Sequence, residues 1–202
     1  DFSCGGMPSH RMYQEWISGI EKKLKSKICY VNFRPKTYGW TNVVVEIKAQ
    51  NGKKYNQVYM DDPYYYCFYC SHVSVRDYCL ECQFANNHYA DIILADLWKY
   101  KTISKINNQN KGISLIITNS EKGENVIKSI SQKIALTILD MEKASYNLIE
   151  KKYSQEFIQN RRAFLKKCER GGFYAAIEDK RLKGAFKFKV KYKLKKFLGR
   201  DR

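Results

Sequence analysis

The chain has 202 residues, 44% of them hydrophobic, and carries 37 Lys and Arg against 20 Asp and Glu, a net charge of +17. That length supports one substantial domain with a small appendage and needs no disulfide staples, and no apolar run approaches the roughly 20 residues of a membrane-spanning helix. The charge points to polyanionic partners: nucleic acid, an acidic membrane leaflet or an acidic protein. An odd number of cysteines, seven, argues against a fully paired disulfide framework, and the thiol usage leads one to expect a reducing cytoplasm.

The chain opens on Asp1 and runs into Cys4-Gly5-Gly6-Met7-Pro8-Ser9, which reads as the start of a fragment, so that a cofactor site needing upstream residues would be incomplete. Met12, Trp16, Ile17, Ile20 and Leu24 recur at helical spacing after Ser9, predicting an amphipathic helix with Ser9 as its cap. Strands are expected over 28–34, 42–49 and 54–60, with Asn51-Gly52 as a hairpin turn between the last two. The cysteine-rich segment after Asp61-Asp62-Pro63 reads partly as loop. Further on, 91–97 and 113–118 read as buried strands, Ser120 caps a helix over 121–133, and 134–139 is another strand candidate. Helices are expected over 141–152 and 155–168, and Gly171-Gly172 breaks the pattern.

These elements predict an α/β (mixed α+β) fold: a mixed sheet with flanking helices and a basic C-terminal tail, divided into a domain over 1–170 and an extension over 171–202. From Lys180 to Arg202 there are eleven basic residues and one acid, so more than half of the net charge sits there. Within it Phe186, Phe188, Val190, Tyr192 and Leu194 alternate with lysines, which fits a strand. An i, i+4 stripe through Leu182, Phe186, Val190, Leu194 and Leu198 fits a basic amphipathic helix equally well. A solvated terminal element is the simpler reading, and contact with an acidic membrane surface or partner is the alternative.

Four cysteines fall within sixteen residues: Cys67-x2-Cys70 and Cys79-x2-Cys82, eight residues apart. Two thiolates at this spacing can reach one metal ion, which suits tetrahedral zinc, and iron-sulfur ligation uses the same spacing with Cys4 as a further donor. Spacing does not separate the two metals, and unligated buried thiols are the third option. Of the histidines His10, His72 and His88, only His72 lies in this cluster, and four cysteines already suffice as ligands. No Walker A, GxGxxG or GxSxG pattern occurs. Asp91 and Asp96 bracket an apolar strand that leads to Trp98, where a site could sit at a strand end; turn caps or pairing with lysines is the plainer role.

Several segments, in order, resemble the C-terminal region of the coenzyme F-420 hydrogenase/dehydrogenase beta subunits. Cys4 to Ser9 is similar to that family's Cys-His-Gly-Val-Pro-Ser motif, and Phe33-Arg34-Pro35-Lys36 with Gly39-Trp40 resembles its Phe-Arg-Asp-Lys and Gly-Trp element. The run from Arg76 through Cys79, Cys82 and Phe84 to Asp91-Ile92-Ile93-Leu94-Ala95-Asp96-Leu97-Trp98 resembles Arg-Pro-Ser-Cys-x-x-Cys-x-Phe followed by Ser-Asp-Ile-Thr-Leu-Gly-Asp-Phe-Trp. Gly112-Ile113-Ser114, Asn119 and Gly123 complete a likeness over about residues 1–130. Gly5, His10, Ala95 and Lys99 depart from the family pattern, and Cys67 and Cys70 stand outside it.

The resemblance implies a flavoprotein that passes electrons between a [4Fe-4S] cluster and FAD, and in some members onward to a deazaflavin. Cys4, Cys79 and Cys82 would be cluster ligands with a fourth upstream. Lys36, Asp96, Trp98 and Ser114 would line the flavin or substrate pocket, while Cys67 and Cys70 would be extra ligands, a redox pair or packing. The partner would be a redox protein or an upstream ferredoxin-like domain, in a cytoplasmic protein that can lie against the inner membrane face, with a link to polysaccharide assembly. The competing function is a zinc-stabilised module whose basic tail and sixteen tyrosines contact nucleic acid or another polyanion. Confinement of the basic excess to the tail and the lack of a nucleic-acid motif make nucleic acid the weaker partner.

Overall fold

The computed structural model of the chain describes residues 1–84, 89–98, 110–140 and 153–178. These form two compact units with interleaved segments. One comprises Asp1–Gly6, Gly39–Thr41 and Tyr78–Lys152, and the other Met7–Tyr38, Asn42–Asp77 and Tyr153–Arg202.

The larger unit begins with helix α1 (His10–Leu24), where the Ser9 hydroxyl accepts the Met12 N–H as the expected N-cap. The helix stops at Lys25, whose left-handed backbone (φ 54°) lets its N–H turn back to the last carbonyls. Met12, Trp16, Ile20 and Leu24 form its buried face. Strands β1 (Ile28–Asn32), β2 (Val44–Ala49) and β3 (Lys54–Val58) make an antiparallel sheet in the order β1-β2-β3. On the central strand Val45, Ile47 and Ala49 are buried while Glu46 and Lys48 are less so, the period-two alternation of a half-covered sheet. Gly52, at φ +81°, closes the β2-β3 hairpin as the Asn-Gly pair requires.

Asp62 then caps a single helical turn, α2 (Pro63–Tyr65), which continues as a π turn over Tyr66–Cys70. Helix α4 (Gln155–Ile177) completes this unit, with Ser154 as N-cap. The glycine pair does not end it: Gly172 alone leaves helical geometry (φ 80°, ψ 175°), and the chain resumes the helix to Ile177. The kink frees the Phe173 N–H, and the Glu15 carboxylate accepts it at 2.5 Å. Phe173 and Ala176, beyond the kink, share one core with Trp16, Ile47, Tyr64, Cys67, Phe164 and Cys168.

In the smaller unit β4 (Ile92–Asp96) pairs antiparallel with β5 (Ser114–Thr118). The other edge of β4 takes up Asp1–Ser3 through a parallel bridge at Phe2 and Leu94. Bonds from Asp1 to the Ile92 carbonyl and from Ser3 to the Leu94 carbonyl secure it, so parallel and antiparallel pairing meet on one strand. Helix α3 (Glu121–Ile130) follows, with the Ser120 hydroxyl accepting the Gly123 N–H. Ile93, Leu97, Leu115 and Ile117 form this unit's core, with Trp40 and Ile113 against them. Helices with two small sheets give the mixed α/β class that the sequence predicts.

The strand expected over 134–139 does not form. A short 3-10 turn (Ser131–Lys133) follows α3, residues 135–140 have no regular structure, and Ile138 is 99% exposed. Its apolar run has the composition of a strand, but among the described residues no strand offers it hydrogen bonds, and Leu139 alone packs on a core. The helix expected over 141–152, the tail from Lys180 to Arg202 and His88 lie outside the described residues.

Candidate functional site

Two of the cysteine-bearing segments are joined by a short antiparallel ribbon. Pro8 pairs with Val75, the Arg76 N–H donates to the Met7 carbonyl at 2.8 Å, and the Ser9 N–H donates to the Ser74 carbonyl at 3.0 Å. Pro8 and Val75 thus form the pair whose own backbone groups face out of the ribbon, the position in which proline's missing N–H does no harm. The pairing runs from Ser9–Ser74 to Met7–Arg76, beyond which Gly6 takes a left-handed backbone and Asp77–Cys79 a 3-10 turn. Just beyond the ribbon in sequence, Cys4 on one segment and Cys79 and Cys82 on the other all belong to the smaller unit.

Cys4 lies between this ribbon and the parallel bridge at Phe2, and is exposed. The Gly6 N–H donates to its sulfur at 3.4 Å, made possible by the left-handed backbone of Gly6 (φ 106°). Cys79 ends a 3-10 turn (Asp77–Cys79), Cys82 follows in the next bend, and both are half-buried. These three thiols fit a thiolate-held group in their donor chemistry and accessibility, and a backbone N–H on a ligand sulfur is a feature that tunes such groups. Among the described residues no three His, Cys, Asp or Glu side chains stand close enough to share a metal ion.

Cys67 and Cys70 sit in the other unit, at two positions of the π turn. Cys67 is 2% exposed in the main core, where Cys168 is also buried. Burial, reinforced by Cys168, Asp62 and Cys70, pushes the Cys67 thiol far up; burial alone takes Cys70 to about 12, and Cys168 is raised to about 11, again chiefly by burial. Cys67 and Cys168 help fill the main core, while Cys70 is half-buried beside it on the π turn.

The pocket residues read from the sequence divide in the same way. Asp96 and Ser114 face each other in the β4-β5 register, and the Trp98 N–H donates to the Asp96 carbonyl at 3.1 Å. The Trp98 ring lies 5.2 Å from that of Trp40, which brings the Gly-Trp and Asp-Leu-Trp segments together. Trp40 is held by Asn110, whose carbonyl accepts its N–H at 2.8 Å. It packs so closely on Gly112 that an added Cβ there would stand 2.2 Å from the indole. Lys36 is in the other unit, on an exposed 3-10 turn (Lys36–Tyr38). Asp91 has the plainer role: it accepts the Ser120 hydroxyl at 2.5 Å and pairs with Lys122 at 3.3 Å, and the Ser120 hydrogen bond is the main reason its carboxyl is held below the ordinary value.

Two groups escaped the sequence reading. Asp62, fully buried, accepts from Trp16 Nε1 at 3.0 Å, the Tyr55 hydroxyl at 2.8 Å and the Tyr65 N–H at 2.7 Å. Its signal was the Asp-Pro pair, an N-cap followed by proline at the first helical position. Arg161 is buried on α4 and bound to the segment that leads to Cys79. It shares the spacing of Phe157, Phe164 and Cys168, so a charge on that apolar face was visible.

Within a mixed α/β fold, the smaller unit pairs Asp96 with Ser114 at the end of β4-β5, carries Trp98 just after it, and holds Cys4, Cys79 and Cys82. Residues 1–144 match the family described as the C terminus of the coenzyme F420 hydrogenase/dehydrogenase beta subunit, and the chain belongs to that family. No curated protein and no solved structure matches it.

Proposed function

We propose that the chain is the electron-transfer domain of an oxidoreductase of the coenzyme F420 hydrogenase/dehydrogenase beta-subunit type, in which Cys4, Cys79 and Cys82 hold a [4Fe-4S] cluster. The observation that supports this reading is that Cys4, Cys79 and Cys82 all fall in the smaller unit, on the two segments that the Met7–Arg76 ribbon pairs just before them. A fourth ligand comes from outside this set. The thiolates anchor the cluster, and the Gly6 N–H offsets charge on the Cys4 sulfur.

Asp96, Trp98 and Ser114, with Trp40 packed at a tilt against Trp98, are the part of the smaller unit suited to a flavin: aromatic surface for the ring and polar groups for its edge. FAD supplies the conversion between hydride and single-electron chemistry, and the protein's part is to orient the ring and keep water away. A redox protein or ferredoxin-like domain exchanges electrons with it, a deazaflavin or an acceptor in polysaccharide assembly being the other end. We place it in the cytoplasm, with Lys180–Arg202 available to an acidic membrane face. Among the described residues no helix is long and apolar enough to cross a membrane.

Anaerobic reconstitution with iron and sulfide tests the reading. Bound iron and sulfide in near-equal amounts with a broad absorption near roughly 400 nm are expected of thiolate-held iron. One equivalent of zinc in a colourless protein that refuses iron would overturn it.

A further inference from the structure

Arg161 on α4 lies beyond the family-matched residues 1–144 and is unused by the chemistry proposed above. Its side chain is 6% exposed, Nη2 donates to the Val75 carbonyl at 2.7 Å, and Nη1 pairs with Asp77 Oδ1 at 2.6 Å. Its Nε is buried without a hydrogen-bond partner. Asp77 is 80% exposed on its side chain, so the pair does not compensate two buried charges; it draws one buried guanidinium onto an otherwise solvent-facing loop. Burying an arginine on so few partners is unfavourable, and such a group persists where something other than stability retains it.

The ribbon geometry shows what it holds. The Val75 carbonyl faces out of the Pro8-Val75 pair and so has no partner within the ribbon. Arg161 takes that carbonyl with one nitrogen and the side chain two residues on with the other. A planar fork does this with fixed geometry, which a lysine cannot do. The residues gripped are Val75 and Asp77, the second of them the first residue of the turn that ends at Cys79, and the Met7 carbonyl is bonded to Arg76 between them.

We propose that Arg161 is a positioning residue for the cysteine ribbon: a clamp, contributed by α4, that fixes the chain from Val75 to Asp77 and so restrains the start of the turn that carries Cys79 and leads on to Cys82. This rests on the reading of these cysteines as ligands, but the clamp itself is measurable without any cluster.

The test is alkylation of the metal-free, reduced full chain by iodoacetamide, followed cysteine by cysteine by mass spectrometry, together with amide exchange over residues 77–82. Exposed Cys29 on β1 serves as the internal reference and buried Cys67 as a reporter of global opening. Asp77→Ala, at an exposed position, and Arg161→Lys and Arg161→Gln are compared with the parent chain. Release of a charge-assisted clamp should raise labelling of Cys79 and Cys82 and amide exchange in the 77–82 turn by about tenfold, with Cys29 and Cys67 unchanged. Arg161→Lys should not restore the parent rates. Equal acceleration at Cys67, restoration by lysine, or unchanged rates at Cys79 in Asp77→Ala would each overturn the proposal. If the parent chain takes up no iron, the ligand reading fails while the labelling comparison still decides the clamp.

Discussion

Replacing Asp62 perturbs a buried carboxylate that accepts three hydrogen bonds in the larger unit. Alanine would strand three buried donors at once: Trp16 Nε1, the Tyr55 hydroxyl and the Tyr65 N–H. Breaking a buried charged network of this kind costs about 3–5 kcal/mol, and the lost N-cap of α2 is part of that figure. Against a typical total of about 5–15 kcal/mol this removes a large share of the stability. Asparagine keeps the shape and can still accept from Tyr65. Its amide would face the Trp16 N–H donor to donor, an error of about 1–3 kcal/mol.

The pH dependence separates this account from simple packing. Burial raises the Asp62 pKa above the ordinary 3.8, outweighing the hydrogen bonds from Tyr65, Tyr55 and Trp16 that pull it down. The folded protein therefore keeps this proton to higher pH than the unfolded chain. The associated stability is complete below the unfolded value and is lost as pH rises through the folded one. Urea unfolding of the parent and Asp62→Asn across pH 4 to 8 reads this directly, since asparagine does not titrate. The stability gap between them should be widest at the acid end and narrow toward neutrality, at unchanged m-value. A gap that widens with pH would refute the reasoning, because it would mean that folding favours the ionised carboxylate.

Three further expectations follow from the packing. Gly112→Ala should destabilise the smaller unit by about 2 kcal/mol or more, since φ +88° disfavours a side chain and the new methyl meets Trp40; a melting scan with tryptophan fluorescence checks it. Phe164→Ala should cost about 3–5 kcal/mol, read by urea unfolding, because the ring is 1% exposed in the main core. In the native metal-free chain, Cys4 and Cys29 should react with iodoacetamide far faster than Cys67, whose thiol is buried and shifted up; comparable rates would contradict the burial described.

Local signals in the sequence carried far. Ser9 and Ser120 were legible as caps, Met12-Trp16-Ile20-Leu24 as a buried stripe and Asn51-Gly52 as a turn, because each depends on neighbours within four residues. The failure at 134–139 has a physical basis: a strand exists only if a second strand pairs with it, and an apolar run says nothing of the partner. Gly171-Gly172 misled in a related way, since the Glu15 carboxylate that caps the freed Phe173 N–H lies far off in sequence. In the site, the ligand residue types were visible but their assortment was not. Cys67-x2-Cys70 and Cys79-x2-Cys82 have the same spacing, yet the first pair belongs to a unit whose core it helps fill and the second to the unit that holds Cys4. Arg161 acts through a carbonyl more than eighty residues away, which no local pattern encodes.

The central claim, that Cys4, Cys79 and Cys82 rather than Cys67 and Cys70 hold the redox group, is tested most directly by iron content after anaerobic reconstitution of two variants. The Cys79→Ala, Cys82→Ala double variant should lose nearly all bound iron and its absorption near roughly 400 nm, while Cys67→Ala, Cys70→Ala should retain both, because cluster ligation depends on the thiolates that touch iron. Full iron in the first variant and none in a still-folded second would contradict the account.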